Sequence, residues 1–447
     1  MNMNQSAKPV VVVGLGKTGY SVVAFFAARQ IPVVVMDTRD TTPFVQQVKQ
    51  NFPHVDVILG GLDETQLLQA SFVVVSPGLP LATKEIKAAI KSGIDVKSDI
   101  QVFAEYAKAP IVAITGSNAK STVTSLVGLM AQEAGLNTAI GGNLGTPALE
   151  LIHDDVELYV MELSSFQLEA TPNLNAKVAT VLNISPDHLD RYESYEAYYQ
   201  SKHVIFNGSE WGVVNLDDDL SSPLMQKPKH LVGFGLNKPQ ENGFGLIEHG
   251  DKLFLAKGDE LLLDCAELKI KGSHNRSNAL AALALGECAG LPMQSMLNTL
   301  KHFPGLAHRC QWVGQHQGVD FYNDSKGTNV GATLAALEGL GPDIQGNLIL
   351  MLGGVGKDAD FGFLSKAVEQ YVQHLVVYGQ DKNAIAQALK DRSQIHMADS
   401  FEDAFEQAKS IAEGGDAVVL SPACASFDMF NSFEHRGDTF VQLVEGL

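Results

Sequence analysis

Short runs of Val and Ile recur along the chain at helix-length spacing, each ending in Gly, Asp or Ser, and this rhythm constrains the fold more than any other feature. Val10–Val13, Val33–Met36, Val55–Leu59 and Phe72–Val75 form a first series. A strand that is apolar on consecutive residues must be covered on both faces, the condition met in parallel sheets with crossover helices. A second series, Ile111–Ile114, Leu158–Met161 and Val178–Asn183, leads each time into a polar loop. After an amphipathic stretch over Asn278–Ala289 and a bend at PGLAHRCQWV, a third series follows at Phe321–Tyr322, Leu348–Leu352, Leu375–Tyr378 and Ala417–Leu420. The expected class is α/β in three domains, 1–97, 98–305 and 306–447, as suits 447 residues at about 150 per domain.

Composition removes several functions. With 32 Lys+Arg against 51 Asp+Glu the net charge is −19, so the chain repels polyanions and no nucleic-acid partner is expected. The 4 cysteines are scattered without a zinc or disulfide pattern. No apolar run approaches the ~20 residues of a membrane span, and the start does not read as a signal peptide. A cytoplasmic protein without membrane association is expected.

Two loops carry phosphate-binding character. In IVAITGSNAKST a strand opens into Gly116, Ser117, Asn118, Ala119, Lys120, Ser121 and Thr122 and then a helix. Backbone N–H groups at such a helix start face a phosphate, Lys120 supplies a point charge, and Ser121 or Thr122 can hold Mg²⁺. The pattern departs from the usual phosphate loop at Ile114 and Ala119, where glycine is standard, and Ala119 must take up backbone angles normally left to glycine. At the N-terminus, Gly14, Leu15, Gly16, Lys17, Thr18 and Gly19 follow a strand, with Asp37 and Thr38 ending the next and Ser76 and Gly78 ending the fourth. Alone this is a dinucleotide fingerprint with Asp37 on a ribose hydroxyl; beside an ATP-type loop, it favours a nucleotide-linked substrate. A nicotinamide-dependent oxidoreductase and a non-catalytic nucleotide sensor are the competing classes.

Glu162 and His188 both lie at strand ends, on the edge where ligands of α/β sheets collect, and can be read as Mg²⁺ ligands or as a cap and a core histidine. Lys202, judged by its residue type alone, is a solvated surface cation.

The series TGSNAKST, GGNLGTP, ELSSFQLE, NISPDHLDRY, SHNRSNALAA, PGLAHR, NDSKGTN, GGVGKDADF and SPACASFDMFNSFEHRG, in this order, closely resembles the Mur ligases, ATP-dependent amide-forming enzymes of peptidoglycan precursor synthesis. The resemblance implies a Rossmann-like N-terminal domain for a UDP-linked substrate, a central P-loop-type ATPase domain and a Rossmann-like C-terminal domain for the amino acid. It implies that Gly116 to Thr122 hold the ATP phosphates, with Ser121, Glu162, His188 and a carbamylated Lys202 around two Mg²⁺ ions. It assigns Asn275, Asn278, Arg309 and Asp324, with Lys326 and Thr328 nearby, to ATP. Asn143 falls to the central site, and uracil lies near Asp37 and Thr38. Lys357, Ser426 and Phe433 match the residues that receive D-glutamate, and the Asp-Asn-Pro-Arg sequence of relatives taking a diamino acid or lysine is missing. The implied substrates are UDP-N-acetylmuramoyl-L-alanine, D-glutamate and ATP, handled by a monomer; another Mur ligase or a folylpolyglutamate synthetase is the nearest alternative.

Overall fold

The computed structural model describes residues 8–187, 191–224, 226–270 and 272–447. The chain divides into two compact units. One holds the chain up to Gly245 with Ala256–Glu260 and Leu280–Thr299; the other holds Leu246–Leu255, Leu261–Ala279 and Leu300–Leu447.

In the first unit, β1 (Val10–Val13), β2 (Val33–Asp37), β3 (Asp56–Leu59), β4 (Phe72–Val75) and β5 (Val96–Lys97) form a parallel sheet in the order β3-β2-β1-β4-β5. All four residues of β1 are buried, as expected of a strand covered on both faces. The chain order reverses at β1, leaving a crevice at the carboxyl ends of β1, β2 and β4.

A second parallel sheet in the same unit contains β6 (Ile111–Thr115), β7 (Thr138–Gly142), β8 (Leu158–Glu162), β9 (Val178–Val181), β10 (Trp211–Asn215) and β11 (His230–Phe234), ordered β11-β10-β9-β6-β8-β7. The polar loops after β6, β7, β8 and β9 all leave from one edge. Strands β12 (Phe244–His249), β13 (Lys252–Lys257) and β14 (Glu260–Asp264) follow in the chain. None of β7, β10 or β11 to β14 was anticipated from the sequence: their shorter or more polar runs lack the continuous Val/Ile signature.

The second unit holds β15 (Gln311–His316), β16 (Val319–Asn323), β17 (Leu348–Gly353), β18 (Val372–Tyr378), β19 (Gln394–Met397) and β20 (Ala417–Leu420), ordered β15-β16-β20-β17-β18-β19. The central pairs are parallel, but β15 runs antiparallel to β16. That edge strand, preceded by PGLAHRC, makes a two-residue hairpin at Gln317-Gly318 that the parallel series did not predict.

Glycine is required where the first loop folds under itself. Gly14 has φ of +95°, and a Cβ on Gly19 would collide with the carbonyl of Gly14. Gly16, by contrast, has no neighbour that a Cβ would meet. We therefore expect Gly19→Ala to cost at least ~2 kcal/mol through forced backbone displacement, and Gly16→Ala less than ~1 kcal/mol. Urea midpoints for the two variants check this, and equal losses would refute the steric account.

Candidate active site

Nine of the residues predicted to bind the UDP-linked substrate line one cavity of about 540 Å³: Gly14, Gly16, Lys17, Thr18, Asp37, Thr38, Ser76, Gly78 and Asn143. Leu15 and Gly19 stand behind it. Leu15 is fully buried and its N–H donates to Asp37 Oδ2 at 2.7 Å. The rim also carries Arg39, Gly145 and Gln167, which sequence reasoning missed.

Asp37 does not do what a dinucleotide fingerprint asks of it. Its carboxylate accepts from Arg39 Nε at 2.8 Å, Arg39 Nη2 at 2.7 Å, the Arg39 N–H at 2.9 Å and the Leu15 N–H. Four donors leave little capacity for a ribose hydroxyl, so Asp37 braces the glycine loop. Burial alone would raise its pKa, but the Arg39 side chain and the two backbone N–H groups outweigh that and hold it at about 2.

The second loop is pinned from β9. Ser117 N–H donates to Asn183 O at 2.9 Å and Asn118 N–H to Asn183 Oδ1 at 2.8 Å. The Ser117 hydroxyl contacts the Tyr198 hydroxyl at 2.8 Å. Ala119 takes the left-handed conformation, φ +65°, and starts the helix Lys120–Glu133. Lys120 Nζ folds onto the carbonyls of Gly116 and Ser117 at 2.8 and 3.0 Å, while Thr122 is buried.

Glu162, ending β8, ties these loops together. Its Oε2 accepts from Ser121 Oγ at 2.6 Å and its Oε1 from Asn143 Nδ2 at 2.7 Å. Asn143 therefore touches both the cavity and the carboxylate beside the phosphate loop. Among the described residues no group of three or more His, Cys, Asp or Glu forms a metal cage. His188, one of the four predicted ligands, lies outside the described residues.

Lys202 overturns the surface reading of its residue type. It is 2% exposed, sits on the Gly116 carbonyl at 3.0 Å, and lies 4.9 Å from the Tyr198 ring centre. Burial and then the nearby Lys120 charge push its pKa well below the ordinary lysine range, against the opposing pull of Asp187 and Glu162. The helix Tyr195–His203 carries Tyr198 one turn before Lys202, and both are buried, the signal that a solvated lysine would lack.

In the second unit, Asn278 Nδ2 donates to Asn275 Oδ1 at 3.2 Å. Asp324 accepts from Ser421 Oγ at 2.7 Å and the Cys310 N–H at 3.1 Å; burial raises its pKa to about 6, with these bonds and the Arg309 charge opposing. Lys326 Nζ lies 3.8 Å from the Phe433 ring centre, and Thr328 N–H donates to the Lys326 carbonyl at 2.8 Å. Lys357 is exposed with φ +52°, on a loop held by the reciprocal Val355 and Ala425 backbone bonds, both 2.9 Å. Those bonds join its loop to the segment that carries the buried Ser426.

Asp37→Asn should cost about 1–2 kcal/mol near neutral pH, after allowance for the solvent exposure of Arg39. Because folding lowers this pKa, the stabilisation is complete above the unfolded value of 3.8 and is lost as pH falls through about 2. The gap between wild-type and variant urea midpoints should accordingly shrink from pH 5 to pH 3; a gap independent of pH would assign the loss to packing.

Comparison with known proteins follows the same outline. Residues 8–98 match the Mur ligase MurD-like N-terminal domain, 114–286 the Mur ligase middle domain, and 308–424 the Mur ligase glutamate ligase domain. The UDP-N-acetylmuramoylalanine–D-glutamate ligase of Pseudomonas savastanoi pv. phaseolicola is 54% identical over 437 residues, 98% of each chain. That of Acinetobacter baylyi is 50% identical over 441 residues, again 98% of each. Among solved structures, MurF from Acinetobacter baumannii superposes with a TM-score of 0.63 at 18% identity, covering 100% of this chain and 93% of that one. MurC from Thermotoga maritima gives 0.60 at 18% identity, covering 98% and 99%. Sheet order, loop placement and full-length identity together establish that the chain belongs to the Mur ligase family.

Proposed function

We propose that this chain is an ATP-dependent ligase that joins D-glutamate to UDP-N-acetylmuramoyl-L-alanine, releasing ADP and phosphate, in cytoplasmic peptidoglycan precursor synthesis. The observation that carries this reading is Asn143, which lines the cavity and donates to Glu162, itself bonded to Ser121 of the phosphate loop. A nucleotide-linked substrate and an ATP phosphate chain thereby meet at one residue. The relatives' printed activity supports the choice of substrates. We place domain boundaries near residues 97 and 305 and read the enzyme as a monomer; among the described residues no helix is long and apolar enough to cross a membrane.

Gly14 to Gly19 hold the diphosphate, and Thr38 with its neighbours the uracil. The substrate carboxylate attacks the γ-phosphorus of ATP, forming a C–O–P bond as the bond to ADP breaks. Lys120 leaves its resting carbonyls to offset the charge of the two approaching anions. The D-glutamate amine then attacks the acyl carbon, the C–O bond to phosphate breaks, and the nitrogen loses a proton. Lys357 and Ser426 receive the acceptor's side-chain carboxylate, and Phe433 packs beside it. Asn275, Asn278, Arg309 and Asp324 serve the ATP base, phosphates and ribose.

The residues at the loop fit Mg²⁺. Ser121 and Glu162 present oxygen donors within one hydrogen bond of each other, and we assign them, with His188 and Lys202, to two ions. When bound, Mg²⁺ supplies positive charge to the phosphate oxygens. The burial of Lys202 favours its neutral amine, the form that attacks CO₂; N–C bond formation with loss of one proton gives a carbamate. The carbamate offers anionic oxygen to the metal at a place where a protonated lysine would repel it.

Phosphate release should require ATP, D-glutamate and the UDP-linked substrate together, with L-Glu, L-Ala and meso-diaminopimelate inactive as acceptors. Tight NADH binding without binding of the UDP compound in a calorimetric titration would instead favour the oxidoreductase. Lys357→Ala should raise the D-Glu requirement and leave ATP binding nearly unchanged; unaltered D-Glu kinetics would show that the wrong lysine was assigned. Lys202→Ala should slow turnover by ~10²-fold or more while UDP-substrate binding survives. A fully active variant, with a plain ammonium at Lys202 in a substrate-bound crystal, would falsify the carbamate.

A further inference from the structure

Arg436 is 0% exposed, yet among the described residues no carboxylate pairs with it. It lies in the first turn of the helix Phe433–Glu445. Its Nε donates to Ser325 Oγ at 3.0 Å, and its Nη2 donates to the carbonyls of Ser325 at 2.8 Å and Cys424 at 3.1 Å. Its Nη1 reaches the Gly353 carbonyl at 3.5 Å. Ser325 Oγ passes the chain on to the Phe433 carbonyl at 2.8 Å.

The three anchored residues follow or end β16, β20 and β17, which are neighbours in the sheet. One guanidinium thus stitches three loops at the carboxyl edge, where ligands of parallel sheets collect. Two of these loops bear a residue already assigned to the acceptor: Ser426 comes two residues after Cys424, and Lys357 comes four after Gly353; the third carries Lys326 next to Ser325. Neutral dipoles satisfy the N–H groups, while the Asp381 and Asp428 carboxylates act with Arg436 on the same Cys424 and offset part of the guanidinium charge. The four bonds of Arg436 draw on the five fixed N–H donors of a planar guanidinium, where an ammonium has only three.

We propose that Arg436 is a positioning residue for the acceptor: it fixes the loops after β17 and β20 around the amino acid and ties them to the loop after β16. This rests on the ligase reading above. It predicts an effect confined to the acceptor, whereas a residue needed only for folding would affect every substrate through the amount of native enzyme. ATP is a poor control because Asp324 adjoins Ser325; the UDP-linked substrate, whose predicted contacts lie in the first unit, is the proper one.

The test is initial-rate kinetics and thermal melting of wild type, Arg436→Lys and Arg436→Met. The methionine variant should raise the KM for D-Glu ~100-fold with the KM for the UDP-linked substrate within ~3-fold of wild type. Lysine keeps the charge and loses the fork, so it should give an intermediate rise of ~10-fold. An unchanged D-Glu KM, or equal rises for both substrates, overturns the proposal. So does failure of both variants to melt cooperatively, since Arg436 would then be a folding cation alone. Wild-type enzyme that turns over without D-Glu would remove the ligase reading itself, a result separable from either variant's behaviour.

Discussion

The structure of the first unit depends on where one buried carboxylate is placed. Glu162 ends β8 opposite Ile114 of β6 and Gly142 of β7, so two parallel registers set its position. A one-residue slip in either would turn its side chain to the other face of the sheet. With the registers kept, Ser121 from the phosphate-loop helix and Asn143 from the turn after β7 both reach it. The Asn143 N–H also donates to the Glu162 carbonyl at 2.8 Å, fixing backbone and side chain together. A deeply buried carboxylate is tolerable only with such donors; the same donors bring the loops into one place.

The ionic groups elsewhere follow that logic with opposite signs. Asp37 is an anion satisfied by one arginine and two backbone N–H groups, and it holds the glycine loop at the end of β1. Arg436 is a cation satisfied by carbonyls and a hydroxyl, and it holds loops at the ends of three strands. Each converts a strand end into a fixed platform. In neither case does the residue need to touch a ligand to shape the place where one binds.

Much of this was legible in the sequence because it is written locally. The buried runs of β1, β2, β4, β6, β8, β17 and β20 announce themselves by consecutive apolar residues, and glycines mark the loops after β1, β4, β6 and β17. The cavity residues Gly14, Gly16, Lys17, Thr18, Asp37, Thr38, Ser76 and Gly78 could be found because each sits at or just beyond the end of such a run. What could not be read is which side chains pair. Nothing near Asp37 shows that Arg39 folds back onto it, only Tyr198 one turn earlier hints that Lys202 is buried, and Arg436 looks like any helical arginine until Ser325, Gly353 and Cys424 converge on it. The antiparallel β15 was also hidden, since a half-exposed edge strand such as QWVGQH lacks the doubly covered pattern.

Ala119 has a consequence for how the loop behaves before anything binds. In the left-handed region a Cβ costs the folded chain about 1–2 kcal/mol, a strain that glycine would avoid. The same Cβ narrows the conformations open to the unfolded or loosened loop, so less entropy remains to be lost on ordering. The bonds donated by the Ser117 and Asn118 N–H groups to Asn183 hold the strained geometry in place. A glycine loop would be free to settle around its phosphate on arrival; this one is already set, exchanging adaptability for readiness.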